Sequence, residues 1–167
     1  MMRLTAILFL AIILSSCIDL GFENPQPEGL SNVDGLPAEL SGSYINKDDT
    51  LVFSSGFIIS GGDSVSLIPS ETLVIRKYNG YYFINMTDEK KGYWTVTCAK
   101  INKDRLTLMI PELQEDDKEQ LEKKWPVKEK YNEYDELMAY IISPTKNEWK
   151  KLLRSKYYAK NTFKRID

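Results

Sequence analysis

The chain has 167 residues, with 22 basic and 24 acidic side chains and a formal net charge of −2. It contains no histidine, which excludes His-based general acid–base catalysis, Ser-His-Asp and Cys-His nucleophile sites, and His-ligated zinc. Two cysteines are too few for thiolate metal clusters, and the sequence has neither a basic stripe nor a pI excess to suit a nucleic-acid partner.

Arg3 precedes an apolar run, Leu4 to Leu14, and Ser15-Ser16-Cys17 follows it. A positive start, a short apolar stretch and small residues before a cut site are the parts of an export signal. The run is shorter than the roughly 20 apolar residues a spanning helix needs. Leu14-Ser15-Ser16-Cys17 resembles the bacterial lipobox, in which an aliphatic and two small residues precede a cysteine. Cleavage between Ser16 and Cys17, with a diacylglyceryl group on the Cys17 sulfur, is the expectation. A plain secretory signal and an N-terminal anchor helix are the alternatives, and spacing, flanks and cysteine together favour the lipobox. Two acyl signals anchor a protein stably where one gives only marginal binding. Loss of residues 1–16 removes Arg3 and no acid, leaving 21 basic and 24 acidic side chains, net −3. With Cys17 acylated, Cys98 has no disulfide partner. It sits in an alternating apolar run and reads as a buried, inert thiol, since a nucleophilic one needs a group that stabilises thiolate.

Residues 17–35 read as a lipid-anchored flexible tether. They hold Gly21, Gly29, Gly35, Pro25 and Pro27, and Pro-rich linkers are extended and semi-rigid. About 18 residues fully extended reach at most roughly 60 Å. Residues 36–167 are expected to form one β-rich domain, large enough to bury a real core, with a short turn at 36–40.

From Ser41 to Ile110 strand follows strand. Segments at 42–46, 50–54, 56–60, 71–78, 81–86, 92–101 and 105–110 are β-rich and separated by turn residues, with 65–68 a further short strand or loop. This pattern predicts a mainly β fold, an antiparallel meander closing into a barrel or half-barrel. Asn79-Gly80 is the clearest hairpin, because both positions of a type I′ turn need positive φ. The two-residue loop sets Tyr78 opposite Tyr81, Ile75 opposite Ile84 and Leu73 opposite Met86. Leu73, Ile75, Ile84 and Met86 form the core face. The other face, with Arg76, Tyr78, Tyr81 and Phe83, reads as amphipathic, Arg76 lying against Phe83. Trp94, Val96 and Cys98, then Leu106, Leu108 and Ile110, repeat the alternation around a turn at 102–104.

Beyond Pro111 the charged stretch 112–134 carries Leu113, Leu121 and Trp125 at multiples of four, which predicts a helix ending before Pro126. Its acidic cluster at 115–119 lacks the spacing and glycine of a calcium-binding EF-hand loop. Residues 138–142 form an apolar strand. A helix over about 146–155 follows, with Thr145 and Glu148 at capping-box spacing and Trp149, Leu152 and Leu153 as its inward stripe. One or two C-terminal helices therefore pack on the sheet. Phe163 and Ile166 mark a last strand or tail.

Gly42-Ser43-Tyr44 with Asp49-Thr50-Leu51, Tyr82-Phe83-Ile84-Asn85, Trp94 and Ile142-Ser143-Pro144-Thr145, after a Pro-Gln-Pro segment, resemble small lipoproteins of the Bacteroidetes, especially flavobacteria. The resemblance implies an exported, β-rich, lipocalin-like domain held at the outer membrane, and it brings no catalytic residue. It also marks Thr50 and Ser64, in Asp49-Thr50-Leu51 and Asp63-Ser64-Val65, as candidate O-glycosylation sites. Asn85-Met86-Thr87 matches the N-glycosylation triplet but lies in a predicted strand. Asp19 and Glu23 form a faint acidic stretch of the kind linked to surface export in that phylum. Function then reads as a non-enzymatic binding or accessory module of an envelope assembly. A lipocalin-like carrier of a small apolar ligand is the alternative, since about eight strands leave room for one ligand, and Tyr44, Phe57, Tyr82 and Trp94 would suit it. An enzyme with a carboxylate or Ser–Lys site ranks last, because no residue pair stands out. The expected partners are the membrane, through the lipid on Cys17, and an envelope protein; no cofactor, metal or nucleic acid is expected. Intact mass spectrometry of the membrane-extracted protein should give a chain starting at a diacylated Cys17; an unmodified Cys17 or a retained Met1 would refute the anchor.

Overall fold

The computed structural model describes residues 18–47, 49–54 and 56–167. Ser16 and Cys17, the expected cleavage and lipidation residues, lie outside this set. Among the described residues twelve strands and two short α-helices follow in order. The strands are β1 (Asp19–Gly21), β2 (Gly42–Ile45), β3 (Thr50–Ser54), β4 (Phe57–Ser60), β5 (Asp63–Ser66) and β6 (Leu73–Tyr78). They continue with β7 (Tyr81–Thr87), β8 (Trp94–Asn102), β9 (Arg105–Pro111), β10 (Lys128–Tyr131), β11 (Leu137–Ile141) and β12 (Tyr158–Arg165). The helices are α1 (Lys118–Glu122) and α2 (Trp149–Leu152), each entered through a 3-10 turn.

The fold is mainly β, as the alternation predicts. Nine antiparallel strands form one curled half-barrel sheet in the order β5-β4-β3-β2-β12-β9-β8-β7-β6. Asn79 and Gly80 take positive φ of 50° and 76°, and the β6–β7 register has Tyr78 opposite Tyr81, Ile75 opposite Ile84 and Leu73 opposite Met86. The turn alone dictates that register, so the sequence shows it plainly. The place of β12 is another matter. It lies between β2 and β9, joining two meanders that the chain makes separately, and no local pattern encodes that insertion.

The concave side is packed with the sheet's own side chains. Tyr44, Phe53, Ile75, Tyr82, Ile84 and Leu106 belong to one buried cluster drawn from strands across the sheet, and the Tyr44 and Phe53 rings meet edge-on at 5.9 Å.

On the opposite face Val74, Arg76, Tyr78 and Tyr81 are half-buried, as the amphipathic reading expects, but from Phe83 across β7–β9 the face is covered. Phe83, Val96, Cys98 and Met109 are buried there in a second cluster with Leu113, Leu121, Trp125, Trp149, Leu152 and Tyr158. These central strands are thus apolar on both faces, as strands buried on both sides must be. Arg76 does not lie over Phe83. Its guanidinium turns outward to the carbonyls of Pro25 and Pro27 and the side chain of Asn32.

The tether is the second correction. Ile18, Leu20 and Phe22 are all buried, a period-two apolar pattern inside a stretch that Pro and Gly made look like a linker. β1 pairs in parallel with β11, and β11 pairs antiparallel with β10, as a small second sheet. Phe22 exchanges backbone hydrogen bonds with Trp94 at 2.9 and 2.8 Å. Gly21 is there for close approach: a Cβ at that position would press into the Ile141 side chain and lie 2.9 Å from the Tyr93 ring. Further on, Val33 donates to the Ile75 carbonyl at 2.9 Å and caps the β6 edge. Asp19 and Glu23 serve as structural partners: Asp19 accepts from Tyr93 Oη and Lys91 Nζ, and Glu23 pairs with Lys128.

The helix expected to end before Pro126 is present but short, Lys118–Glu122, and beyond it Lys128–Tyr131 joins the small sheet. Its stripe stands, with Leu113, Leu121 and Trp125 all buried. Ile166 is exposed while Phe163 enters the core. Phe22→Ala should lower folding stability by about 3–5 kcal/mol, read from urea denaturation, whereas a residue in a solvated tether would give almost no change.

Candidate functional site

α2 positions one wall of a cleft on the outer face of the sheet. Pro144 and Thr145 end the extended chain after β11, and Thr145 begins the 3-10 turn at Lys146–Glu148. The Glu148 carboxylate accepts the Thr145 hydroxyl and backbone N–H, both at 2.7 Å, forming the capping box that the Thr-x-x-Glu spacing predicts. Those two bonds hold the Glu148 carboxyl below its usual range, the hydroxyl bond contributing most. Trp149, Leu152 and Leu153 turn inward, and Lys150 and Arg154 line the opening.

The other wall is the outer side of the β6–β7 hairpin and β8. Tyr81 and Phe83 alternate onto one face, and the register sets Lys100 beside Tyr81. Phe83 meets Trp149 edge-on at 4.9 Å, and Tyr81 meets Phe83 at 6.5 Å. Lys100 Nζ lies 4.6 Å from the Tyr81 ring centre, and Lys146 Nζ 6.0 Å from that of Tyr78. The cleft has a volume of about 370 Å³, within the range that takes a small ligand.

A second hollow of about 570 Å³ continues from it, lined by Lys124, Asn147, Lys150, Lys151, Arg154 and Ser155. Lys150 and Arg154 belong to both. The residues lining the two hollows include no carboxylate, and Lys100, Lys150 and Arg154 have no ion-pair partner among the described residues. On a chain of net negative charge this is a local positive field over aromatic walls. Such a site attracts anions and stacks flat apolar surfaces.

The residues singled out in the sequence lie elsewhere. Thr50 and Ser64 are both exposed, on the outer face of β3 and β5. They are two strands apart across β4, whose Ile59 sits between Val52 and Ser64. Asn85, the discounted glycosylation triplet, is fully buried. Cys98 is also fully buried, and burial pushes its thiol well above the ordinary value, as expected of an inert thiol. Of the four rings considered for a carrier, Tyr44 and Tyr82 fill the concave core, Phe57 is 41% exposed on the outside, and Trp94 packs on the second cluster. An apolar ligand on the concave side would have to displace the sheet's own core.

The cleft itself escaped the sequence reading. Its rings were legible as strand residues and its lysines as a helix surface, but nothing local says that they meet. The run Lys146, Lys150, Lys151, Arg154 was the one available signal. Among the described residues no group of three or more His, Cys, Asp or Glu gathers to hold a metal ion, and no helix is long and apolar enough to cross a membrane. No family model matches the chain, and neither a curated protein nor a solved structure matches it.

Because the Glu148 carboxyl is lowered in the fold, its contribution is present above the unfolded pKa and is lost as pH falls through the folded value. Glu148→Ala should therefore lower stability by about 0.5–2 kcal/mol at neutral pH, with the difference from wild type shrinking in urea melts run in acid.

Proposed function

We propose that this is a lipid-anchored envelope protein that binds an anionic ligand, through a lipid on Cys17 and the cleft under α2. The observation that carries the binding role is the pairing of Tyr78, Tyr81, Phe83 and Trp149 with Lys100, Lys150 and Arg154, without a carboxylate in the lining. The ligand class follows from that chemistry: an acid group for the cations and a flat, weakly polar face for the rings, as in an acidic sugar or an aromatic acid.

The cations on the rim give the site two ways to hold such a ligand. Exposed ion pairs each contribute little, about 0–1 kcal/mol, so charge alone gives weak, salt-sensitive binding. Ring stacking inside the cleft supplies the part that salt does not screen. Binding without chemistry fits the lining, which holds no nucleophile with a positioned base. The role is then that of a recognition or accessory module at the outer membrane, with its anchor at Cys17.

Two measurements test the two halves separately. Tryptophan fluorescence of a Trp94→Phe, Trp125→Phe variant, in which Trp149 alone emits, titrated with an oligogalacturonate and with its neutral methyl ester, should respond to the acid form. Lys150→Glu with Arg154→Glu should weaken that response at least tenfold, and equal response to both sugars would overturn the charge-based reading. Cys17→Ala should move the protein from the membrane fraction to the soluble fraction; retention in the membrane would overturn the anchor and leave the cleft untouched.

A further inference from the structure

The sheet has two edges, and they are treated differently. The β6 edge is capped: Val33 bonds to Ile75, and Asn32 bridges to Arg76. The β5 edge has β4 on one side and, among the described residues, no strand on the other. All four residues of β5 are exposed, and the strand has no proline, lysine or bulge of the kind that protects an open edge.

Charge is missing from the same end. Residues 51–70 hold a single charged side chain, Asp63, in a chain that is 28% charged. On the outer face of this end, Val52, Phe57 and Ile59 lie among the hydroxyls of Thr50, Ser64 and Ser66. Phe57 and Ile59 are 41% and 39% exposed. Next along the same outer face, β12 and β9 present Lys160, Lys164 and Arg105 to solvent. Beyond those, the second hydrophobic cluster covers the sheet.

We propose that the outer face of β3–β5 is a self-association surface, packed about a two-fold axis against the same face of a second copy of this chain. A two-fold interface sets a patch against itself, so any net charge in the patch meets its own sign. This end of the sheet is the stretch of outer face that can meet itself without that repulsion, and the neighbouring stretch with Lys160, Lys164 and Arg105 cannot. Two sheets packing face to face stand about 10 Å apart with interdigitated side chains. The mixture of large Phe57 and Ile59 with small Thr50, Ser64 and Ser66 allows that interlocking. The second copy also shields the flank of the open β5 edge.

This surface lies apart from the cleft and does not depend on the anchor. It competes with glycosylation, because Thr50 and Ser64 are part of it and a sugar on either would hold the two faces apart. Sedimentation velocity of the mature chain in density-matched detergent, with intact mass on the same sample, tests it. The wild type should sediment as a dimer without added sugar mass. Phe57→Lys with Ile59→Lys should sediment as a monomer with an unchanged melting temperature. Ser64→Arg, at an exposed position, should do the same if the double variant melts early. Lys164→Glu, on the neighbouring stretch, should remain dimeric. A monomeric wild type, a dimeric Ser64→Arg variant, or hexose on Thr50 or Ser64 would each overturn the proposal.

Discussion

One buried amide organises the molecule. Asn85, on β7, accepts the Gln26 backbone N–H through Oδ1 at 2.5 Å and returns a bond from Nδ2 to the Gln26 carbonyl at 2.9 Å. The Gln26 side chain in turn accepts the Trp149 indole N–H at 3.2 Å. Asn85 and Gln26 are both buried, so each polar atom left without its partner would cost about 1–3 kcal/mol. An asparagine in the middle of a strand therefore ties three parts of the chain together: the N-terminal segment, the sheet and the helix that builds the cleft. Loss of the N-terminal segment would strand polar groups of both the sheet and the helix.

That constraint explains why the sheet has two cores. A curled sheet that filled its concave side alone would leave Phe83, Val96, Cys98 and Met109 in water. The N-terminal segment and the helices cover them, and Phe22, Phe83 and Trp149 lock the layers through ring contacts of 5.3 and 4.9 Å. Covering stops at β12. Beyond it no cluster of the described residues covers the outer face of β3–β5, and over residues 51–70 the chain changes from charged to nearly uncharged. The cleft opens along the far rim of the covered part, where the ring layer meets the basic surface of α2. Both features proposed as functional thus lie at borders of the second core.

Much of this was legible in the residues, and the failures share one cause. Alternation, the Asn79-Gly80 turn and the Thr145–Glu148 spacing are local, and each fixed a strand face, a register or a helix start correctly. The errors concern how distant segments meet. Pro25, Pro27 and three glycines outweighed the Ile18-Leu20-Phe22 alternation, because composition says linker while only the sheet shows a strand. The part of the outer face of β6–β7 that is closed is closed by the N-terminal segment and α2, both distant from it in sequence. Of the cleft only the basic run Lys146, Lys150, Lys151 and Arg154 was there to be read. Its walls come from β6–β8 and from α2, and neither carries a motif.

The buried N-terminal segment also changes what an anchor at Cys17 would do. A tether would let the domain roam roughly 60 Å from the lipid and leave its orientation free. Ile18 is buried instead, and Asp19 is held by Tyr93 and Lys91. Under the proposed lipidation the acyl chains would begin one residue from the folded core, so the domain would lie against the membrane surface with its β1–β11 corner lowest. The surroundings of that corner, the 88–92 loop and the β10–β11 hairpin, would then meet the headgroups. Orientation would come from the fold rather than from the linker. A two-fold partner at β3–β5 must in turn place two such corners on one membrane plane, which restricts the axis to one near the membrane normal.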